Sequence, residues 1–252
     1  MNKVQAGLFF FMSVRQGDHA AFNRWHSYEH IPEFQTMPSE VDGRRYVATP
    51  ALIAARSPAE PALAPAQYLI PYYHQGPAEE SLEKRRVHNR WVEANSPAFT
   101  GKTKMRFAGA FDFVRGRVAP RLRISPEALL YRPHTGVYAT LQDLATNNDA
   151  KVVEEWYDQY HFPDMLSVKG FTGVWRFRSR PHPDFPNPPD RFLNLYFLDE
   201  EPAKALADLR ARHPGWIAAG RGPRTPRGPL LIESAFQTIV NSGDAKYDWF
   251  DR

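Results

Sequence analysis

Residues 25–33 read Trp-His-Ser-Tyr-Glu-His-Ile-Pro-Glu, and residues 156–164 read Trp-Tyr-Asp-Gln-Tyr-His-Phe-Pro-Asp. The two stretches are 131 positions apart, and at that offset a tryptophan, a histidine, a proline and an acidic residue coincide. Four matches of these residue types within nine positions indicate an internal duplication. A repeat of about 125 residues is too long for a solenoid unit, so the sequence predicts two copies of a small domain.

The sequence around each motif shows the same succession of apolar alternation and helical periodicity. In both halves the order is β-α-β-β-α-β, the ferredoxin-like arrangement. Asp18 and Asp149 are plausible N-caps of the two motif helices. The predicted strands are 4–14, 41–54, 68–74 and 105–114 in the first half and 135–141, 170–178, 192–198 and 230–240 in the second, with second helices at 79–95 and 201–219.

A four-stranded sheet with helices on one face leaves its other face bare, and that face must be covered. Two tandem copies can cover each other by closing an eight-stranded barrel with the helices outside. We therefore expect an α+β fold in which two tandem ferredoxin-like βαββαβ units form a pseudo-dimeric α+β barrel. The expected division is unit one at 1–116, a linker at 117–130, unit two at 131–241 and a C-terminal tail at 242–252.

Composition excludes several classes of function. The chain has no cysteine, which excludes a disulfide framework, a thiolate metal site and a cysteine nucleophile. The net charge is only +4 and the basic residues are scattered, which argues against nucleic acid as a partner. The longest apolar run, Leu8 to Met12, is too short to span a membrane, and no signal peptide is evident, so we expect a cytoplasmic protein. The 23 prolines and 13% aromatic residues favour a small-molecule substrate, and any homo-oligomer would use the outer surfaces.

The motif Trp-x-x-x-x-His-x-Pro-[Glu/Asp] is followed about a dozen residues later by Arg45-Tyr46 in one half and Arg176-Phe177 in the other. This pattern resembles the EthD-like branch of the dimeric α+β barrel superfamily, and the resemblance covers both halves. It implies a fused version of a dimer. The superfamily includes cofactor-free dehydratases, lyases, cyclases, isomerases and quinone-forming monooxygenases that act on aromatic or polyketide-like compounds, and some distant branches bind haem.

Histidine is the strongest candidate for chemistry in both halves. His30 and His161 precede the motif proline, where we expect the helix to end and the imidazole to reach a ligand. Histidine titrates near neutrality and suits proton transfer, so we predict either one as the catalytic acid or base. The alternative is that it only holds the helix end. Tyr72 or Tyr46 would donate a hydrogen bond to the developing oxyanion.

Strand alternation suggests which side chains surround the substrate. Tyr68, Ile70, Tyr72 and His74 share one face of a strand that we expect to line the barrel. The opposite, apolar face (Leu193, Leu195 and Phe197 in the second copy) should pack under the helices. Because the copies differ at polar positions, we expect one active half. The substrate-binding candidates are Tyr68, His74, Tyr138, Asn194, Tyr196, Glu29, Arg45, Arg176, Asp112 and Glu233.

Neither a metal nor an organic cofactor is expected. His26 and His30 lie four residues apart near Glu29 and Glu33, but the second copy has Tyr157 in place of His26 and no HExxH pattern occurs. No glycine-rich phosphate loop and no G-x-S-x-G elbow is present. Possible axial ligands for haem are His74 and His88, whereas His19, His134, His182 and His213 are given no site role.

These observations favour a cofactor-independent lyase or isomerase that uses histidine acid–base chemistry on a small, mostly apolar metabolite. One alternative is a cofactor-free monooxygenase of phenolic substrates. Another is a small-molecule-binding or stress-response protein without turnover. Oxygen consumption with an electron-rich phenol separates the first two.

Overall fold

A computed structural model describes residues 3–56, 60–95, 102–145, 150–223 and 228–239. Their strands and helices follow the predicted order in both halves. The strands are β1 (Ala6–Val14), β2 (Glu40–Gly43), β3 (Tyr46–Val47), β4 (Tyr68–His74), β5 (Thr103–Val118), β6 (Gly136–Asp143), β7 (Phe171–Ser179), β8 (Arg191–Leu198) and β9 (Leu230–Thr238). The helices are α1 (His19–Trp25), α2 (Ile31–Gln35), α3 (Pro50–Ala54), α4 (Ala78–Asn95), α5 (Ala150–Trp156), α6 (Phe162–Ser167) and α7 (Pro202–Ala218).

The strands close into a barrel. They follow the order β1-β5-β7-β8-β6-β9-β3-β4, and β4 pairs back with β1, every pair being antiparallel. Strands β2 and β3 both pair with β4 and act as one interrupted strand, so the barrel has eight strand positions. Each unit pairs its last strand with the second strand of the other, β5 with β7 and β9 with β3. The predicted pseudo-dimeric α+β barrel is confirmed.

Aromatic rings from both units fill the barrel interior. The ring of Phe9 lies 4.8 Å from that of Phe177, and the ring of Tyr73 lies 5.5 Å from that of Trp175, measured between centroids. Each pair joins unit one to unit two, which places these side chains inside. An eight-stranded barrel is just wide enough for such side chains to fill it. The ligand space therefore has to lie elsewhere.

The predicted orientation of β4 and β8 was wrong. Leu193, Leu195 and Phe197 belong to the interior cluster, whereas Tyr68, Ile70 and Tyr72 pack with residues of α1, α2 and α4. The physical reason is that the barrel interior has no access to water and takes the uniformly apolar face, whereas the helix-covered face can accommodate polar groups at the helix edges.

Two boundaries differ from the sequence prediction. The predicted strand 41–54 comprises β2, β3 and the helix α3, because Thr49 accepts a hydrogen bond from the Leu52 amide at 3.3 Å and Pro50 suits a first helical turn. Strand β5 extends to Val118, two residues into the predicted linker, and residues Pro126–Leu130 form a 3₁₀ helix. The unit boundaries themselves stay a prediction, and Asp149 and the tail 242–252 lie outside the described residues.

A π-helical turn follows the first helix in both units. The turns span His26–His30 and Tyr157–His161. In the first, the Ile31 amide bonds the carbonyl five residues earlier, and α2 continues through Pro32. The expectation that the helix ends before the proline was wrong, because proline at the first turn of a new helical segment needs no N–H partner. Single π turns occur frequently at functional sites.

Among the described residues, no helix is both long and apolar enough to cross a bilayer.

Candidate functional site

A pocket of about 330 Å³ lies in unit one, between the outer face of the sheet and the helices. Strands β1 and β4 form its floor, and α1, the π turn and α4 form its walls. Pockets for small molecules are typically apolar clefts of this order with a few converging polar groups. The apolar lining consists of Leu8, Phe10, Met12, Phe22, Trp25, Ile70, Val92 and Met105.

Unit two contributes a wall of this pocket. His182, Asp184 and Phe185, from the segment between β7 and β8, line it. The Phe185 ring lies 5.5 Å from that of Phe10 and stacks on that of His182 at 4.9 Å. His182, for which no site role was expected, therefore lines the candidate pocket. The pocket is complete only when both units are present.

Two histidines of the π turn converge on the pocket. The rings of His26 and His30 lie 4.8 Å apart, and the Trp25 ring lies 4.5 Å from that of His30. Burial, with a further contribution from the Arg85 and Arg45 charges, lowers the pKa of His30 to about 3. Burial and the Arg45 charge also lower the pKa of His26 well below its usual value. Both imidazoles are therefore neutral at neutral pH.

A buried polar cluster lies behind the histidines. The Arg85 guanidinium sits 3.2 Å from the ring centroid of Phe34 and 4.0 Å from that of Tyr72. Arg85 Nη1 lies 3.3 Å from Glu40 Oε2, and that oxygen lies 3.4 Å from His74 Nδ1. Burial raises the pKa of Glu40 to about 8, although the Arg85 charge opposes the shift. We call Glu40, His74 and Arg85 the buried cluster.

Tyr72 joins the buried cluster to the histidines. Its hydroxyl lies 3.4 Å from His26 Nε2, and Arg85 hydrogen-bonds to it on the other side. Burial raises the pKa of Tyr72 to about 12, so the hydroxyl keeps its proton and can donate it in a hydrogen bond.

Unit two has no counterpart of the buried cluster. Strand pairing places Glu40 opposite His74 in unit one, and Phe171 opposite Leu198 at the matching positions of unit two. In α4 and α7 the matching residues Leu82 and Leu206 are both buried. Three residues further along each helix, Arg85 in α4 corresponds to Leu209 in α7. The same fold therefore forms with apolar residues at all three positions, and packing does not require the polar ones.

In unit two the Arg176 guanidinium lies in the region that matches part of the pocket. Its guanidinium lies 4.0 Å from the Tyr157 ring centroid and 4.2 Å from that of Phe192. It donates a 2.7 Å hydrogen bond to Asn194, which corresponds to the pocket residue Ile70, and pairs with Glu154 at 2.6 Å. These contacts reduce the matching space in the described part of unit two, whereas the pocket described above lies in unit one.

No family model and no curated protein matches the sequence. Solved structures do match it. An anthrone oxidase-like protein is 11% identical, with a TM-score of 0.62 over 94% of this chain and 92% of its own. A proposed monooxygenase from Fusobacterium nucleatum subsp. nucleatum is 9% identical, with a TM-score of 0.54 over 94% of each chain. A dye-decolorizing protein from V. cholerae is 9% identical, with a TM-score of 0.55 over 95% of each.

The chain has the dimeric α+β barrel fold. At these identities the likeness concerns the fold and not the reaction.

Within this α+β barrel, two of the predicted site residues, His30 and Tyr72, line the pocket. His161 lies in unit two, where its ring stacks on Trp156 at 4.8 Å. Tyr46, predicted to be catalytic, is inside the barrel, where its hydroxyl lies 2.9 Å from His134 Nε2. Tyr46 and the pocket histidines therefore do not meet.

The other predicted residues surround the pocket or lie far from it. Tyr68 bonds His19 and Asn23 beneath α1, and Arg45 donates to Asn23 and Ser27. Glu29 is exposed, and Asp112 pairs with Arg180 at 2.7 Å. The remaining ones lie in unit two (Tyr138, Asn194, Tyr196, Arg176 and Glu233) or in the buried cluster (His74).

Sequence reasoning missed Arg85 and Glu40. A usable signal existed, because the spacing between β4 and β8 aligns the two second helices and places a cation opposite Leu209 at a buried position. That comparison needs the correct alignment of the second helices, whose offset is 124 and not 131.

Neither of the two histidines considered as axial ligands of a haem lines the pocket. The His74 side chain is fully buried behind Arg85, and the His88 ring stacks on Trp91 at 5.6 Å, outside the pocket lining. Among the described residues, no group of three potential metal ligands occurs. Glu33, considered with His26 as a metal ligand, instead lies 3.3 Å from His88.

Proposed function

We propose that this chain is an enzyme that removes a proton from an acidic C–H or O–H group of a small aromatic compound, without an organic cofactor, and that His30 accepts the proton. The observation that carries the proposal is the pair of buried, neutral imidazoles in an aromatic pocket. A neutral imidazole can accept a proton, whereas a protonated one cannot.

Each neighbour of His30 has a role in the proposed step. The ring walls hold a flat apolar compound, which brings its acidic hydrogen to the imidazole. As the proton leaves, charge develops on the oxygen of the substrate, and Tyr72 donates a hydrogen bond to it. The anion formed beside His30 stabilises the new imidazolium, which offsets the unfavourable effect of burial on its charge.

Two reactions can follow the loss of the proton. Return of the proton to another atom, or departure of a leaving group, makes the enzyme an isomerase or lyase, as the resemblance to the EthD-like branch favours. Reaction of the anion with oxygen makes it a monooxygenase, and the fold likeness to an anthrone oxidase-like protein supports this second candidate. For anthrone the balanced reaction is anthrone plus O₂ giving anthraquinone and water.

The proposal can be tested by incubating the protein with anthrone in D₂O, first under nitrogen and then after oxygen is admitted. We expect the protein to accelerate exchange of the anthrone methylene protons, followed by NMR, in both atmospheres. Oxygen uptake equimolar with anthraquinone would assign the oxygenase, and exchange without uptake the isomerase or lyase class. Binding of anthrone without acceleration of either process would favour a binding protein and contradict the proposal.

The loop from unit two should determine how tightly the pocket holds its ligand. Replacing Phe185 by Ala removes an aromatic wall that contacts Phe10. We expect the KM for anthrone to rise roughly 10-fold with kcat little changed, because burial of an aromatic side chain contributes about 1.5–3 kcal/mol. Tyr131→Ala, at an exposed position outside the pocket, is the matched control. An unchanged KM in Phe185→Ala would remove unit two from the site.

A further inference from the structure

We propose that the pocket binds its aromatic ligand through an anionic oxygen group, a carboxylate or a phenolate, seated on the Arg85 guanidinium, with Glu40 and His74 as positioning residues behind it. The inference rests on the proposed site, but it does not depend on the proposed proton transfer.

Arg85 is a buried cation that reaches the pocket. Its side chain is 3% exposed, yet it lines the cavity. Its hydrogen-bond partners among the described residues are Glu40 and Tyr72, which leave N–H donors of the guanidinium for a ligand. A charge removed from water is costly unless it is paired and hydrogen-bonded. An anion bound in the cavity would give the Arg85 charge an opposite charge and hydrogen-bond acceptors.

One buried carboxyl, that of Glu40, contacts the guanidinium, with 3.3 Å between Oε2 and Nη1, and burial raises its pKa although the Arg85 charge opposes the shift. The other acidic residues of the lining, Glu93 and Asp184, are exposed at the rim. The inner end of the pocket therefore presents the Arg85 guanidinium beside the imidazoles of His26 and His30, with no exposed carboxylate next to it among the described lining residues, which suits an anionic ligand.

The guanidinium is also held in place. It lies against the rings of both Phe34 and Tyr72, and Glu40 contacts Nη1 at 3.3 Å. A fixed planar fork matches the two oxygens of a carboxylate better than a flexible ammonium does. The fixed orientation means that little side-chain entropy is lost when an anion binds.

Unit two is the internal control for this interpretation. With Leu209, Phe171 and Leu198 at the matching positions, the second helix of unit two packs on its sheet through apolar residues alone at these three positions. The buried cluster of unit one thus costs desolvation that the fold does not demand. Ligand binding explains why the cluster is found in the half with the open pocket.

The test compares three probes of one shape, 2-naphthoate, its neutral amide 2-naphthamide, and 2-naphthol, by isothermal titration calorimetry. We expect the wild type to bind 2-naphthoate roughly 10–100-fold more tightly than 2-naphthamide, the range for a hydrogen bond to a charged group. Arg85→Leu should abolish this preference and keep the affinity for 2-naphthamide. Arg90→Leu, an exposed arginine on the same helix, should preserve the preference. Binding of 2-naphthol that strengthens as pH rises, and only when Arg85 is present, would assign a phenolate.

A double variant, Glu40→Gln with Arg85→Leu, covers the case in which Arg85→Leu alone fails to fold. Equal affinity of the wild type for 2-naphthoate and 2-naphthamide, no binding of any probe, or a preference that survives in the double variant would overturn the proposal. His30→Ala should keep the preference for 2-naphthoate. That result separates failure of the anion site from failure of the proposed proton transfer.

Discussion

His30→Ala is expected to lower turnover by roughly 10²–10⁴-fold, the usual cost of losing a positioned general acid or base, whereas His161→Ala should keep near wild-type turnover. Both histidines occupy the same motif position and lie in the same kind of π turn. They differ in surroundings, because His161 lies beside Tyr157, whose ring the Arg176 guanidinium covers at 4.0 Å, whereas His30 lies beside His26 in the pocket. The pair is therefore a matched control within one chain.

Turnover of anthrone has to be measured together with thermal unfolding of both variants. A histidine that only held the helix end would cost stability, about 1–3 kcal/mol where a buried group loses its partner, and the folded fraction would remain active. Near wild-type turnover in well-folded His30→Ala, or equal losses in both variants, would contradict the assignment of His30. Tyr72 would then be the next residue to substitute.

The free energy of unfolding should fall steeply as the pH drops below about 6.5. Burial lowers the pKa of His26, His30 and His74, the latter two to about 3. In this range the unfolded chain binds protons that the folded chain does not, so acid favours unfolding. Each such histidine contributes a slope of up to about 1.4 kcal/mol per pH unit, and the three together up to about 4.

Glu40 has the opposite dependence. Its folded pKa is raised to about 8, so its contribution to stability is complete below the unfolded pKa of about 4.5 and is lost as the pH rises towards 8. Below pH 6.5 the three histidines outweigh this single carboxyl. Above pH 6.5 only the effect of Glu40 is left of these four groups, and the free energy of unfolding should decline gently towards pH 8.

Urea unfolding between pH 4.5 and 8.5, followed by circular dichroism, checks both limbs of this profile. His74→Leu, which introduces the residue that unit two has at this position, should reduce the acid slope by up to about 1.4 kcal/mol per pH unit. His213→Leu, at an exposed position, should leave it unchanged. Glu40→Gln should flatten the alkaline limb. Stability that does not change between pH 7 and pH 5 would show that the histidines are not buried as described.

Much of the fold could be predicted because the sequence duplication shows that both halves have the same order of strands and helices. The matched Trp25 and Trp156 motifs set the alignment, and alternation within 68–74 and 192–198 identified β4 and β8 to within one residue. Local chemistry explains these successes, since strand periodicity and turn residues act over a few positions.

The site was predicted only in part. His30 and Tyr72 were identified because a histidine near a proline and a tyrosine on a mixed strand face are visible locally. Arg85 was missed because a single cation in a charged helix looks solvent-exposed until the helix is packed. Phe185 was missed because its contact with Phe10 joins residues from different units.

The sequence by itself determined the duplication, the order of strands and helices, and which side chains share a strand face. Tertiary structure alone decided which face lies inside the barrel, because a period of two assigns residues to two faces without saying which of them meets the other unit. It also decided how the two matched arginines are used. Arg45 donates to Asn23 and Arg176 pairs with Glu154, which matches Asn23, but Arg176 also donates to Asn194, at the position of the pocket residue Ile70. Such a choice is made by side-chain partners far apart in the sequence, and only packing brings them together.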